Sequence, residues 1–191
     1  MKMIPTPSQT VGPFFAFGLT EGSGRVRCIA GPDAKGACVL LVGRVLDGDD
    51  APVPDAMIEI WQADADGKYN HPDDPQHGTA DPACTGFGRM GTDEDGLCEF
   101  ETIKPGRVSG PGGTLQAPHL NVALFARGLL KQLYTRVYFA NDPANEEDPV
   151  LALVPENRRE TLMARLDGNR RNCWKFDIHL QGQRETVFFD V

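Results

Sequence analysis

Two stretches separated by one turn constrain the whole chain: CVLLVGRVL at Cys38–Leu46 and MIEIW at Met57–Trp61, with DGDDAPVPD between them. Both are short, rich in Val, Ile and Leu, and bounded by Asp, Gly and Pro, the punctuation of strands rather than helices. In MIEIW, Ile58 and Ile60 alternate with Met57, Glu59 and Trp61, the period-2 pattern of a sheet. Segments of the same character recur at Cys98–Ile103, His119–Ala126, Lys131–Phe139, Trp174–Leu180 and Glu185–Phe189, and Arg127-Gly128 reads as the turn of a hairpin. The 21 glycines and 15 prolines supply the turns that so many short strands need. An all-β fold follows: a mainly antiparallel β-sandwich with one short helix. That helix is predicted after Pro155, where Leu162, Met163 and Leu166 share a face and Gly168 follows. Between Ala63 and about Met90 lies a long loop dense in Asp, His, Pro and Gly, of the kind that carries function.

At 191 residues the chain is read as a single domain, with an extended N-terminal arm and Gly/Ser-rich link over 1–24 and a sandwich core over 25–191. A net charge of −8 with scattered Lys and Arg argues against nucleic acid. No apolar run approaches the roughly 20 residues of a membrane span. MKMIPTPSQT shows no apolar core of a secretory signal. Cys28, Cys38, Cys84, Cys98 and Cys173 are odd in number and lack a C-x-x-C spacing, so reduced thiols in a cytoplasmic protein are expected.

Three features imitate ion or phosphate sites. Asp64-Ala65-Asp66-Gly67 and Asp93-Glu94-Asp95-Gly96 echo a calcium loop. Counted back from the glycine, however, position one falls on Gln62 and Gly91, and both segments read as Asp-Gly turns. His71, His77 and Cys84 share the long loop without the paired short spacing of a zinc set. Gly110–Thr114 lacks the Gly-Lys-Ser/Thr ending of a phosphate loop.

WQADADGKY (Trp61–Tyr69), FETIKPGRV (Phe100–Val108) and APHLN (Ala117–Asn121) rise above this background, together with LNVALFARG, YTRVYF and FDIHLQGQRET. In this order they resemble the intradiol ring-cleaving dioxygenases over most of the chain. The resemblance implies cleavage of a catechol ring with a non-haem Fe(III) ion held by two tyrosinates and a His-x-His pair. Tyr69 stands at the first tyrosine position and His119 at the first histidine. Val108 replaces the second tyrosine, and Asn121 the second histidine. On a strand, i and i+2 face one way, so His-x-His grips one metal where His-x-Asn offers one imidazole and a weak amide. This chain is therefore expected to hold no metal and to have no catalytic residue of its own. Tyr69 and His119 read as packing residues left from a site.

Part of the family is built from paired related chains, of which one binds the iron. This sequence resembles the other, and the resemblance implies a higher-order hetero-oligomer with an iron-bearing partner. PTPSQTVGPFF, uncharged at residues 5–15, is the kind of start that such a chain uses to wall its partner's substrate pocket. The implied wall positions are Thr10, Gly12 and Pro13, with Phe14 and Phe15 anchoring the arm by burial. Arg136, on one strand face with Tyr134 and Tyr138, is implied to border the partner's site and to favour an anionic aromatic acid. Two other readings stay open: a self-sufficient intradiol catechol enzyme with displaced ligands, and a non-enzymatic transthyretin-like sandwich used as a binding module.

Overall fold

In the computed structural model residues 4–190 are described, so the first three residues of the expected arm and the last residue of the expected core lie outside it. Among the described residues ten strands form: β1 (Cys38–Leu46), β2 (Met57–Trp61), β3 (Phe87–Gly91), β4 (Leu97–Ile103), β5 (Val108–Ser109), β6 (Leu115–Gln116), β7 (His119–Phe125), β8 (Leu133–Phe139), β9 (Met163–Leu166) and β10 (Cys173–His179). Eight make one ladder in the order β3-β2-β7-β8-β9-β10-β1-β4, while β5 and β6 pair as a separate ribbon. The joint in the ladder is β9. Its Met163 and Ala164 pair in parallel with Tyr138 and Phe139, and its Arg165 and Leu166 pair antiparallel with Lys175 and Trp174.

The ladder folds over at that joint into two facing sheets. Ile58, Ile60, Leu120, Val122 and Val137 of one meet Leu41, Val45, Phe100, Phe176 and Ile178 of the other in a single core. The period-2 pattern of β2 thus does what its spacing predicts. Residues 26–29 then run across the outer strands: Val26 exchanges backbone hydrogen bonds with Arg89 of β3, and Arg27 and Ile29 bond Glu101 of β4. Both outer edges are thereby covered. The sheets approach so closely here that a Cβ at Gly88 would lie 2.7 Å from Ile29 and 2.9 Å from Phe100.

Four local expectations are corrected. No α-helix follows Pro155; residues Glu156–Leu162 form a 3-10 segment and Met163 onward is β9. Leu166 is 60% exposed and shares no buried face with Leu162, because the backbone of 163–166 is claimed by two strand ladders that override helix propensity. The α-helix is instead α1 (Pro13–Leu19), inside the arm expected to be extended, with Pro13 at its first position. The long loop ends at residue 86: FGRMG is β3, whose Arg89 faces and ion-pairs Glu59 of β2 at 2.6 Å. The expected strand Glu185–Phe189 pairs at one point, Phe189 with Tyr134. It is tied down otherwise by the Thr135 hydroxyl donating to the Val187 carbonyl at 2.8 Å.

The long loop is knitted around Asp64, which is 3% exposed. One of its carboxylate oxygens accepts from the Asp66 and Lys68 amides, both at 2.9 Å, and the other from the Asp81 amide at 2.8 Å. Asp93 closes its own turn by accepting from the Asp95 and Leu97 amides. Gly67 and Gly96 take φ of 80° and 72°, as Asp-Gly turns require. A Cβ at Gly67 would lie 1.9 Å from the Arg107 carbonyl oxygen, so this turn packs against the segment leading into β5. Among the described residues no helix is long and apolar enough to cross a membrane.

Gly67→Ala combines an unfavourable φ with a collision against backbone. It should destabilise the chain by about 3 kcal/mol or more in urea unfolding, whereas Gly168→Ala, whose Cβ meets nothing within 4 Å, should change stability little.

Candidate functional site

Register places the candidate residues. Across three strands, Trp61 of β2 is opposite Asn121 of β7, which is opposite Arg136 of β8. One step along, His119 faces Tyr138, and in the other direction Ala123 faces Tyr134. Leu120, Val122 and Val137 point into the core, so His119, Asn121, Tyr134, Arg136 and Tyr138 share the opposite face of the sheet.

Tyr69 reaches this face from the loop after β2. Its ring stacks on Trp61 with centroids 5.9 Å apart and planes 8° from parallel. Its backbone amide donates to Asp74 at 2.9 Å. The Asn121 side-chain amide donates to the Tyr69 hydroxyl and to the Trp61 carbonyl, both at 3.4 Å. Burial pushes the Tyr69 hydroxyl above its usual range, with Asn121 and Arg136 pulling the other way. Val108, 7% exposed, projects from β5 and lines, with Trp61, Tyr69 and His71, a cavity of about 670 Å³.

His119 is 1% exposed, and its Nδ1 lies 2.8 Å from the Ala117 carbonyl oxygen. Since that oxygen can only accept, Nδ1 carries the proton. Burial, reinforced by the nearby Arg136 charge, pulls His119 down to about 4. Tyr138 is fully buried, and burial pushes its hydroxyl up to about 12. That O–H donates to Asp148 at 3.2 Å. Asp148 also accepts from the backbone amides of Ala117, Val150 and Leu151 at 2.6, 2.9 and 2.7 Å. This buried carboxylate, together with Gln116, whose side-chain oxygen accepts from Arg136 at 2.8 Å, is a part of the site that sequence reasoning missed. A hint was present in the Asp148-Pro149 step, where an acid precedes a proline-led turn.

The four positions implied to hold ferric iron therefore present a protonated phenol, an aliphatic side chain, a buried imidazole and an amide whose NH2 points inward. A hard trivalent ion needs anionic oxygen donors, and this set does not fit it. Among the described residues, no group of three or more His, Cys, Asp and Glu side chains is arranged to hold a metal either.

The arm lies elsewhere. The Thr10 hydroxyl oxygen accepts from the Gly128 amide at 2.8 Å, and Phe15 packs on Phe125 with centroids 5.5 Å apart. Both contacts are at the turn end of the β7–β8 hairpin, about 20 Å along β7 from His119. Thr10, Gly12 and Pro13 are thus not brought together with Tyr69 or His119. Of the two expected anchors, Phe15 is half-buried, but Phe14 is 85% exposed and does not anchor the arm on this chain. Helix formation explains the difference, because consecutive residues of α1 point in different directions around its axis.

The family description "Dioxygenase" matches residues 10–182. Given that match and the sheet order and site described above, the chain belongs to the intradiol ring-cleavage dioxygenase family. Within it, the chain is 46% identical to the protocatechuate 3,4-dioxygenase alpha chain of Burkholderia cepacia, covering 97% of each. The beta chain from the same organism is 36% identical, over 79% of this chain and 67% of that one. The fold of this chain matches the 3-chlorocatechol 1,2-dioxygenase of Rhodococcus opacus 1CP with a TM-score of 0.63 at 22% identity, over 94% of this chain and 69% of that one.

His119 binds a proton more weakly when folded than when unfolded, so the unfolded chain takes up more protons between pH 6.5 and about 4. Its contribution is complete above pH 6.5 and is lost as pH falls towards 4, by up to about 3 kcal/mol. Urea unfolding across that range should show this slope in wild type and a smaller one in His119→Gln.

Proposed function

We propose that this chain is the iron-free alpha subunit of a protocatechuate 3,4-dioxygenase. It would act in the cytoplasm within a higher-order assembly of alpha–beta units. The holoenzyme cleaves 3,4-dihydroxybenzoate with O2 to 3-carboxy-cis,cis-muconate, an aromatic-catabolic reaction, and the non-haem Fe(III) belongs to the beta chain. The observation that carries this reading is the ligand deficit: Val108 and Asn121 occupy two of the four ligand positions in a chain otherwise similar to an alpha chain along nearly its whole length.

The contribution of this chain is the wall of the partner's pocket. The arm segment with Thr10, Gly12 and Pro13 lies over the substrate and excludes water, which strengthens every charge interaction beneath it. Several features support a role in contact with another chain. Gly12 is exposed and a Cβ there would meet nothing within 4 Å. Phe14 and Phe17 are 85% and 62% exposed, a large apolar area for a short segment to leave in water. Arg136 supplies the positive charge for the substrate carboxylate in a chain whose net charge is −8.

Co-expression with a beta-type chain, followed by separation and iron analysis, tests the division of labour. All iron and all tyrosinate-to-iron colour should travel with the partner. Colour in this chain alone would favour the self-sufficient enzyme, and failure to associate would favour the binding module. Gly12 is exposed and a Cβ there meets nothing of this chain within 4 Å, so the effect of Gly12→Trp is read at the partner's site. KM should rise roughly tenfold to a hundredfold with the partner's iron content unchanged, and loss of iron would contradict the wall role.

A further inference from the structure

Arg136 is held in an unusual way for a half-buried arginine. Its Nη1 donates to the Gln116 side-chain oxygen at 2.8 Å and to the Tyr138 hydroxyl at 3.4 Å. Both acceptors are neutral. Among the described residues it has no carboxylate within ion-pair distance, unlike the half-buried Arg89, which is paired with Glu59 at 2.6 Å. The carboxylate behind Tyr138, Asp148, already takes four hydrogen bonds. Arg136 also lines a cavity of about 470 Å³ with Trp61, Phe87, Asn121, Tyr134 and Phe189. Glu59 and Asp190 border the same cavity, and each has its own cation, Arg89 and Lys131.

Gln116 reaches Arg136 from the β5–β6 ribbon, where its backbone partner is Val108. The ribbon is fastened by Arg107, which ion-pairs Glu147 at 2.9 Å and donates to the Leu115 carbonyl at 3.1 Å. The amide oxygen is therefore carried on an anchored element. A glutamate here would offer the same reach and form an ion pair, cancelling the charge that a ligand would otherwise meet. A shorter or apolar residue would leave the guanidinium free to turn away.

We propose that Gln116 is a positioning residue for Arg136: its neutral amide fixes the guanidinium without neutralising it, so that the pocket selects an aromatic carboxylate over an uncharged catechol. This inference rests on the reading above that Arg136 borders the partner's active site. It adds a residue that the ligand positions and the arm do not include.

The test uses the assembled holoenzyme and the ratio of kcat/KM for 3,4-dihydroxybenzoate to that for catechol, with iron content measured in each variant. Gln116→Glu should lower the ratio about tenfold, chiefly through KM for the acid. Gln116→Met removes the acceptor at similar volume and should lower it by about threefold. That ordering follows charge, because a merely misfolded ribbon would depress both substrates together. In an Arg136→Leu background, Gln116→Met should have no further effect on the ratio. If Arg136→Leu lowers the ratio while Gln116→Glu leaves it within about twofold of wild type, the positioning role is wrong and the pocket reading stands. If Arg136→Leu itself leaves the ratio unchanged, the placement of Arg136 is wrong, and this inference falls with it.

Discussion

The pairing of β7 with β2 on one side and β8 on the other governs everything else on this face. It sets Trp61, Asn121 and Arg136 in a row across three strands, with His119 and Tyr138 beside them. Because a strand alternates, a slip of one residue would send Arg136 and Asn121 into the core and bring Leu120 and Val122 out to solvent. The apolar set of β7 is therefore what holds the polar set in place. Burial of Leu120, Val122 and Leu124, all at 3% exposure or less, fixes the register. The register in turn gives the site its layout.

The positions that the family resemblance implies as metal ligands carry a different set of side chains in this chain. The Asn121 amide now links Tyr69 to the backbone of Trp61, and His119 donates to the carbonyl of Ala117. Each surviving polar group has found a local partner, as burial demands. Tyr69, Asn121 and His119 are thus parts of a hydrogen-bonded brace. Arg136 stands out against this pattern, because its Nη1 partners are neutral and leave its charge unmatched.

Much of this was legible in the sequence, and the parts that were not share a cause. Strands β1 and β2 could be bounded to the residue because dense apolar patterns end abruptly at Asp, Gly and Pro. In β3 the alternation passes through Gly88 and Gly91, which have no side chain to register on either face. β9 looked helical because Leu162, Met163 and Leu166 suit a helix, and its strand form depends on partners far away in the chain. The same holds at the site. Tyr69, Val108, His119 and Asn121 are singled out by the likeness of WQADADGKY, FETIKPGRV and APHLN to the family's motifs. Gln116 was not legible and Asp148 barely so, since one sits on a two-residue strand and the other is bound through contacts made by folding.

The shared strand has a consequence for how the molecule comes apart. Sandwiches often have a seam where one sheet can peel from the other. In this chain β9 belongs to both ladders, and the strip at residues 26–29 ties the opposite margins. Peeling the two sheets apart therefore breaks backbone hydrogen bonds at both margins.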